Sequence, residues 1–169
     1  MVEPQRSGEV SIPAIFGALN SARYVYLRQL TEPRDNSLLL LVEEAVLNES
    51  PPLNRPETPE SSQIVTRYSP IESVKGCKKF ELFWKHYAAY LVTEELVGSC
   101  GKNDDEAFTG NVFRIYTKSH FLDHLSRDTG GHPEDLQHYK LICLNHKIDV
   151  ASYAPPEIRL MEPTAAPPH

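Results

Sequence analysis

Residues 111–150 read NVFRIYTKSHFLDHLSRDTGGHPEDLQHYKLICLNHKIDV, and this stretch decides the fold. Apolar and polar side chains alternate in residues 112–118, which predicts a strand. Ser119 has the side chain of a helix N-cap, and residues 120–129 carry an apolar stripe at helical spacing. Gly130, which is followed by a second glycine, ends the predicted helix. The stretch also holds five of the seven histidines, so it contains the residues most able to do chemistry.

The segment HYKLICLNHKIDVAS, residues 138–152, follows the helix after a short turn. Its apolar residues occupy both faces, which is typical of a strand in the interior of a sheet. We therefore predict that the start of the helix lies against a central strand, with polar residues at the junction.

Working outward, four further segments predict strands. Residues 22–30 are rich in aromatic and β-branched side chains, and residues 37–47 contain a short apolar run, so together they predict a hairpin with a long loop. Residues 80–85 alternate with period two, and residues 87–95 are again aromatic and β-branched. These two segments predict two strands with a bend near Lys85 and His86.

A helix is the rival interpretation of this last region. Phe83, Tyr87, Tyr90 and Glu94 fall at helical spacing, although the strand formers outnumber the good helix formers. Residues 98–111, GSCGKNDDEAFTGN, follow and predict a loop because glycines punctuate them.

The remaining segments set the domain organisation. Residues 1–14 lack periodicity and predict a loose N-terminal arm, and residues 162–169 predict a disordered tail. Between them, residues 15–161 are expected to form one domain, from which the proline-rich residues 48–62 project as a surface loop. Within that domain, residues 158–161 predict a short pairing segment. We expect an α+β fold with a mainly antiparallel sheet of five to seven strands and one or two short helices.

Composition narrows the class of partner and the compartment. A chain of 169 residues with a net charge of −6 argues against nucleic-acid binding, which needs a concentrated basic face. The lysines at positions 75, 78, 79 and 85 are interpreted as the solvated side of a sheet. The longest apolar run, residues 38–42, is too short to span a bilayer, and the N-terminal residues lack the pattern of a signal peptide. Three cysteines without CxxC spacing fit a reducing cytoplasm.

The first candidate constellation lies on the predicted helix. His120 and His124 are four residues apart and so share one face, with Asp123 between them. A metal there would need a third ligand from one of the other histidines of the stretch or from Asp149. The spacing lacks the glutamate of the HExxH metalloprotease motif, so surface histidines beside an apolar stripe are the ordinary interpretation.

The second constellation lies on the predicted return strand and comprises Cys143, Asn145, His146 and Asp149. In one strand Cys143 and His146 would point to opposite faces, which argues against a cysteine nucleophile and for a buried structural thiol. Asn145 and His146 would interrupt an apolar strand and would need hydrogen-bond partners, as at a cleft, a sheet end or an interface.

A third candidate is Glu95, which closes a strand full of aromatic residues. It cannot form a catalytic pair with Glu94, because adjacent residues in a strand point apart. The sequence contains no P-loop, GxGxxG or GxSxG motif, and no cofactor is expected.

Three segments carry a resemblance. They are HYAAYLVTEE at residues 86–95, FRIYTKSHFLDH at 113–124 and HYKLICLNHKIDV at 138–150. They resemble a group of uncharacterised small bacterial proteins that share the patterns Y-x-x-Y-x-V-x-x-E, K-S-x-F-L and C-x-N-H-x-x-D-V. The resemblance covers about residues 75–160 and implies a bacterial protein of small size, without implying any catalytic residue.

Two hypotheses of function follow. The leading one is a non-enzymatic protein-binding module of the bacterial cytoplasm, of the immunity type or an accessory factor, whose acidity would suit a basic partner. The rival is a small enzyme, or a metal-binding or ligand-binding protein, with a histidine and carboxylate site where the helix meets the sheet. A homodimer through an exposed strand edge is compatible with both.

Overall fold

The computed structural model describes residues 14–47, 70–96, 105–131 and 135–161. Within these ranges the chain forms two helices and ten strands. In chain order they are α1 (Ala14–Asn20), β1 (Tyr24–Thr31), β2 (Leu38–Leu47), β3 (Ile71–Glu72), β4 (Lys79–Trp84), β5 (Ala89–Glu94), β6 (Ala107–Thr109), β7 (Phe113–Lys118), α2 (His120–Thr129), β8 (Gln137–Ile142), β9 (His146–Ser152) and β10 (Glu157–Met161).

The strands form two antiparallel sheets of five strands each. Sheet 1 has the order β1-β2-β4-β10, with β3 paired to the end of β2, and sheet 2 has the order β5-β9-β8-β7-β6. The predicted α+β class, the antiparallel pairing and the two short helices are confirmed. The ten strands are divided between two sheets, whereas the sequence suggested five to seven.

Both sheets contribute to one buried core. Alternate residues of β2, beginning with Leu38 and Leu40, are fully buried, as period-two patterning requires. The ring of Trp84 on β4 lies 6.4 Å from that of Phe113 and 6.2 Å from that of Tyr139, which belong to sheet 2. These aromatic contacts join the inner faces of the two sheets, and α1 adds Phe16 and Leu19 to the same cluster.

Two chain segments pass from one sheet to the other. β4 lies in sheet 1 and β5 in sheet 2, and the chain bends between them at residues 85–88, so the predicted bend and the two strands are confirmed. The chain crosses back between β9 and β10. Because β5 pairs with β9 and β4 pairs with β10, the two crossings lie side by side as one bent ribbon.

The prediction of a single strand over residues 138–152 is wrong, because this segment is the hairpin of β8 and β9. The backbone N–H of Cys143 donates to the carbonyl of His146 at 2.8 Å and closes the turn. Asn145 accepts from the Leu27 N–H and donates to the Leu27 carbonyl, both at 3.0 Å. The Leu144 N–H adds a bond to the Val25 carbonyl, so the turn is held by the edge of β1.

Two smaller predictions also change. Residues 107–109, which were expected in a loop, form β6 and pair with β7 through a bulge. Ala14, which was expected in the N-terminal arm, begins α1. The predicted arm before it, the proline-rich loop at 48–62 and the tail at 162–169 lie outside the described residues. No helix among the described residues is long and apolar enough to cross a membrane.

Candidate functional site

A buried polar network joins the start of α2 to the outer face of sheet 2. His138 on β8 lies at its centre: its Nδ1 is 2.8 Å from Ser119 Oγ, and its Nε2 is 2.9 Å from Asp149 Oδ1. Lys140 Nζ lies 2.9 Å from the same carboxylate oxygen. The relative exposures of Ser119, His138 and Asp149 are 5%, 1% and 6%, so the network is sealed from solvent except at Lys140.

The hairpin register assembles the strand part of this network. Lys140 lies directly opposite Asp149, and His138 lies opposite Ala151, so these side chains share one face. Their neighbours Tyr139 and Val150 point to the other face, into the core between the sheets.

Helix capping supplies the hydroxyl. Ser119 has extended backbone angles, and its Oγ accepts from the Leu122 N–H at 3.1 Å, so the predicted N-cap is confirmed. Gly130 ends α2 in the left-handed conformation, as predicted. Because α2 begins directly after β7, its first turn lies over β8, and the cap hydroxyl contacts His138.

The hydrogen bonds fit one set of proton positions, in which the imidazole is neutral. An ionised Asp149 can only accept, so His138 Nε2 carries a hydrogen and donates a hydrogen bond to Oδ1. Nδ1 of a neutral imidazole is then an acceptor, and the Ser119 hydroxyl donates to it while accepting from Leu122. Both ring nitrogens and the Ser119 hydroxyl therefore have partners.

Aromatic rings close the sides of the imidazole. The Tyr116 ring stacks on it at a centroid distance of 4.2 Å and an angle of 23°. The Phe121 ring of α2 lies at 5.1 Å in a tilted arrangement. These contacts keep His138 in one orientation and exclude water from both of its hydrogen bonds.

Burial and charge act in opposite directions on Asp149. Burial would by itself raise the pKa of this carboxyl, and it is the largest single influence. The hydrogen bond from His138 and the charge and hydrogen bond of Lys140 together exceed it, so the net effect is a lowered pKa. The folded protein therefore holds Asp149 as a carboxylate.

The order hydroxyl, imidazole, carboxylate is also that of a serine nucleophile with its base and orienting group. Here the hydroxyl is buried and already caps a helix, so its lone pairs and proton are engaged within the protein. The arrangement stabilises the attachment of α2 to sheet 2, and it offers no open position beside Ser119 Oγ for a reacting atom.

The predicted helical histidines are exposed and point to local partners. His120 Nε2 lies 2.6 Å from Asp105, and its Nδ1 lies 3.7 Å from Asp123. His124 Nε2 lies 3.5 Å from Asp128. Over the ranges that the structure describes, no three histidine, cysteine or carboxylate side chains gather in a way that could hold a metal ion.

The other predicted residues separate as well. Asn145 bonds to β1, and Glu95 lines a cleft beside β1 and β8. His146 starts β9, and its Nδ1 is buried with no hydrogen-bond partner among the described residues. Asp149 alone of the predicted set enters the buried network. The earlier argument that Cys143 and His146 point to opposite faces of one strand does not apply, since they flank a turn.

Sequence reasoning missed Lys140, considered His138 only among the third ligands of a metal, and gave Ser119 only its capping role. A signal was present, because a histidine inside an apolar strand needs a partner. Finding that partner required the hairpin register, which the prediction of one continuous strand had removed.

A second polar cluster lies at the surface where β4 turns into β5. One carboxylate oxygen of Glu32 accepts from the Tyr87 hydroxyl at 2.9 Å and from the Tyr90 hydroxyl at 2.8 Å. The two rings meet edge to face at 5.0 Å. The hydrogen bonds to Glu32, followed by partial burial, raise the pKa of both phenols, so both remain donors. We call Glu32, Tyr87 and Tyr90 the acidic tyrosine cluster.

No protein-family model, curated protein or solved structure gives a significant match to this chain. The resemblance of residues 75–160 to small bacterial proteins therefore stays a prediction.

Proposed function

We propose that this chain is a non-enzymatic protein-binding module that accepts an extended, basic segment of another protein along the outer edge of β5. The observation that carries the proposal is this edge. β5 pairs with β9 over six residues in regular register, and within the described ranges no strand pairs with its other side. Such an edge presents backbone donors and acceptors to an added strand.

Among the residues that the structure describes, the edge of β5 lacks the usual protection. Its sequence, AYLVTE, contains no lysine, proline or bulge, and Leu91 and Val92 are 47% and 37% exposed. Because Leu91 and Val92 are adjacent, each face of β5 offers one exposed apolar side chain that an added strand can contact.

The other three sheet edges are protected. The β1 edge is covered by the hydrogen bonds of Leu144 and Asn145. β6 is three residues long and bulged. β10 carries the exposed Arg159 and contacts α1. This contrast favours β5 as the docking edge.

Charge favours a basic occupant. Glu32 of the acidic tyrosine cluster lies near the first residues of β5, and the exposed Glu94 ends the strand. The two tyrosines hold the Glu32 carboxylate in one position, so little ordering is needed when it meets an arginine or a lysine. The chain as a whole carries a net charge of −6, which would steer a basic partner towards it.

An immunity-type or accessory factor that covers a basic protein fits these features. The free thiols of Cys77 and Cys143 suit action in the cytoplasm. A homodimer formed by two β5 edges is the competing occupant, and the experiment below separates the two.

The test is a titration of the full chain with a peptide that alternates lysine and valine. NMR chemical shifts of the backbone amides report the binding. We expect saturable binding, shifts concentrated in β5, and weakening with added salt. An acidic peptide that alternates glutamate and valine should bind far less, as should a proline-containing peptide of the basic composition. Equal binding of the acidic peptide, shifts elsewhere, or a dimer that occupies β5 without peptide would contradict the proposal.

Glu32→Gln supplies the sharper variant, because glutamine can still accept from both tyrosines while the charge is lost. We expect roughly tenfold weaker binding of the basic peptide, the effect of losing one hydrogen bond to a charged group. Asp35→Asn is the matched control, since it removes a charge from the same exposed loop without touching either tyrosine. An equal loss of peptide affinity in both variants would show that the effect comes from net charge and not from the position of Glu32.

The second candidate function is a small enzyme at the helix–sheet junction, which the Ser119–His138–Asp149 order favours. A fluorophosphonate reagent tests it, since an activated serine reacts covalently. We expect no labelling of Ser119, because its hydroxyl is buried and engaged. Labelling that Ser119→Ala abolishes would establish the enzyme instead.

A further inference from the structure

A cleft of about 390 Å³ opens beside β1, where the β8–β9 turn meets the start of β7. It adjoins the end of β5 through Glu95, but the proposed function uses none of its lining residues. Its lining combines two kinds of group. The charged lining residues are Arg23, Arg114 and Glu95, and the apolar ones include Val25, Val112 and Leu144.

Neither arginine is neutralised by a carboxylate of the described residues. Arg23 lies over the Tyr24 ring at 5.2 Å, and Arg114 lies over the Phe108 ring at 4.3 Å. Arg114 Nε also donates to the Asn111 carbonyl at 3.1 Å, which ties the guanidinium to another lining residue of the cleft. A cation–π contact uses the face of a ring and satisfies no N–H donor, so Arg114 Nε is the one guanidinium donor of this pair with an acceptor among the described residues.

The charge of the cleft contrasts with that of the chain. Two guanidinium groups and the Glu95 carboxylate give the lining a net charge of +1, in a protein whose net charge is −6. Cys143 adds no charge, because burial raises the pKa of its thiol to about 12. An anion with one negative charge therefore suits the cleft better than a multiply charged one.

The apolar part of the lining is continuous with the core. Val25, Val112 and Cys143 are all buried residues of the central cluster. Ile142 and Leu144 are partly exposed beside them, so a ligand in the cleft would cover these two side chains with an apolar body while its charged end meets the arginines. Clefts of this volume and this mixed lining are typical of small-molecule sites.

From this combination we infer that the cleft binds a small amphipathic monoanion, a carboxylate attached to an apolar body. Arg23 and Arg114 bind the oxyanion through the forked donors of their guanidinium groups. Ile142 and Leu144, which are partly exposed, contact the apolar body.

Octanoate is the probe. It is titrated into the full chain, and NMR chemical shifts of the backbone amides report the binding. We expect saturable shifts at residues lining the cleft, with a Kd of about 1 mM or tighter for a ligand of this size. The neutral analogue 1-octanol should bind at least roughly fivefold more weakly, and octyl phosphate, which carries nearly two negative charges at neutral pH, should bind more weakly than octanoate. Inorganic phosphate, which lacks the apolar body, should give no saturable shift in the cleft.

Arg23→Gln and Arg114→Gln are each expected to weaken octanoate binding by roughly fivefold or more, the loss of one charge-assisted contact. Arg34→Gln is the matched control, because Arg34 also lies over an aromatic ring, that of Phe83 at 5.6 Å. Arg34 lines neither this cleft nor a second cleft beside β10, which contains Lys75, Lys78 and Lys79. Octanoate binding by the Arg34→Gln variant should equal that of the wild type. Arg23 is exposed and carries the test if Arg114→Gln disturbs the packing of Phe108.

Three results would overturn the inference. They are equal binding of octanoate and 1-octanol, an equal loss in Arg34→Gln and Arg23→Gln, and shifts that map away from the cleft or fail to saturate.

Discussion

His138 Nε2 lies 2.9 Å from Asp149 Oδ1 across the β8–β9 hairpin, and both side chains are buried. The same carboxylate oxygen accepts from Lys140 at 2.9 Å, and the other ring nitrogen of His138 bonds to the cap of α2. One histidine thus links a strand pair to a helix. Because its partners are buried, removing any of them leaves an unsatisfied polar group inside the protein.

Asp149→Ala should lower the free energy of unfolding by about 3–5 kcal/mol, because it leaves His138 and the Lys140 cation without their acceptor. Urea unfolding monitored by circular dichroism measures the change. The matched control is Asp128→Ala, which removes the exposed partner of His124 and should cost less than about 1 kcal/mol. Similar losses in the two variants would mean that the buried network contributes no more than a surface pair.

The stabilisation from Asp149 should depend on pH. Its carboxyl pKa is lower in the folded chain than the ordinary value of 3.8, so folding favours the ionised form. The contribution is complete above that ordinary value and is lost as the pH falls through the folded pKa. The difference in unfolding free energy between the wild type and Asp149→Asn should therefore be constant near neutral pH and shrink in acid. Urea unfolding from about pH 7 to about pH 3 checks this, and a difference that grows in acid would refute it.

Ser119→Ala should destabilise the chain through two losses. The α2 cap contributes about 1 kcal/mol, and the buried His138 Nδ1 left without a donor costs about 1–3 kcal/mol more. Amide hydrogen exchange in the first turn of α2 should accelerate alongside the fall in global stability. Ser126→Ala, a side-chain change on the same helix away from the N-cap, is the control. Its free energy of unfolding should stay within about 0.5 kcal/mol of the wild-type value. A loss confined to the cap value would show that the bond to His138 contributes nothing.

Gly110→Ala should be far more damaging than Gly76→Ala. Both glycines have positive φ angles, of +95° and +100°, so both substitutions carry the strain of that conformation, about 1–2 kcal/mol. A Cβ at Gly110 would also lie 2.1 Å from the backbone oxygen of Phe113, whereas a Cβ at Gly76 meets nothing within 4 Å. Expression in soluble form and unfolding midpoints compare the two. Equal effects would show that the approach of the backbone at Gly110 relaxes freely.

The local sequence pattern predicted the structural features that are set by residues close together in the chain. Ser119 and Gly130 bound α2 as expected, because capping uses side-chain and backbone geometry within one turn. The bend between β4 and β5 was visible in the break of alternation near Lys85. The antiparallel character followed from the many strands and few helices.

The candidate site was harder to predict, because its residues meet through contacts that are distant in sequence. Ser119 and His138 are 19 positions apart, and Asn145 bonds to Leu27 across 118 positions. An apolar run on both faces is compatible with one interior strand or with a hairpin, and the bonds of Asn145 to β1 favour the hairpin.

The amino-acid sequence by itself determined the periodicity of the strands, the ends of α2 and the acidic balance of charge, since each depends on residue types within a few positions. Only the tertiary structure decided that His138 rather than His120 or His124 is buried with a carboxylate. That outcome depends on strand register and on the start of α2 lying over β8. A buried charge is stabilised only by partners that the fold brings within hydrogen-bond distance. Here the network joins three segments, since Ser119 precedes α2, His138 and Lys140 lie on β8, and Asp149 lies on β9.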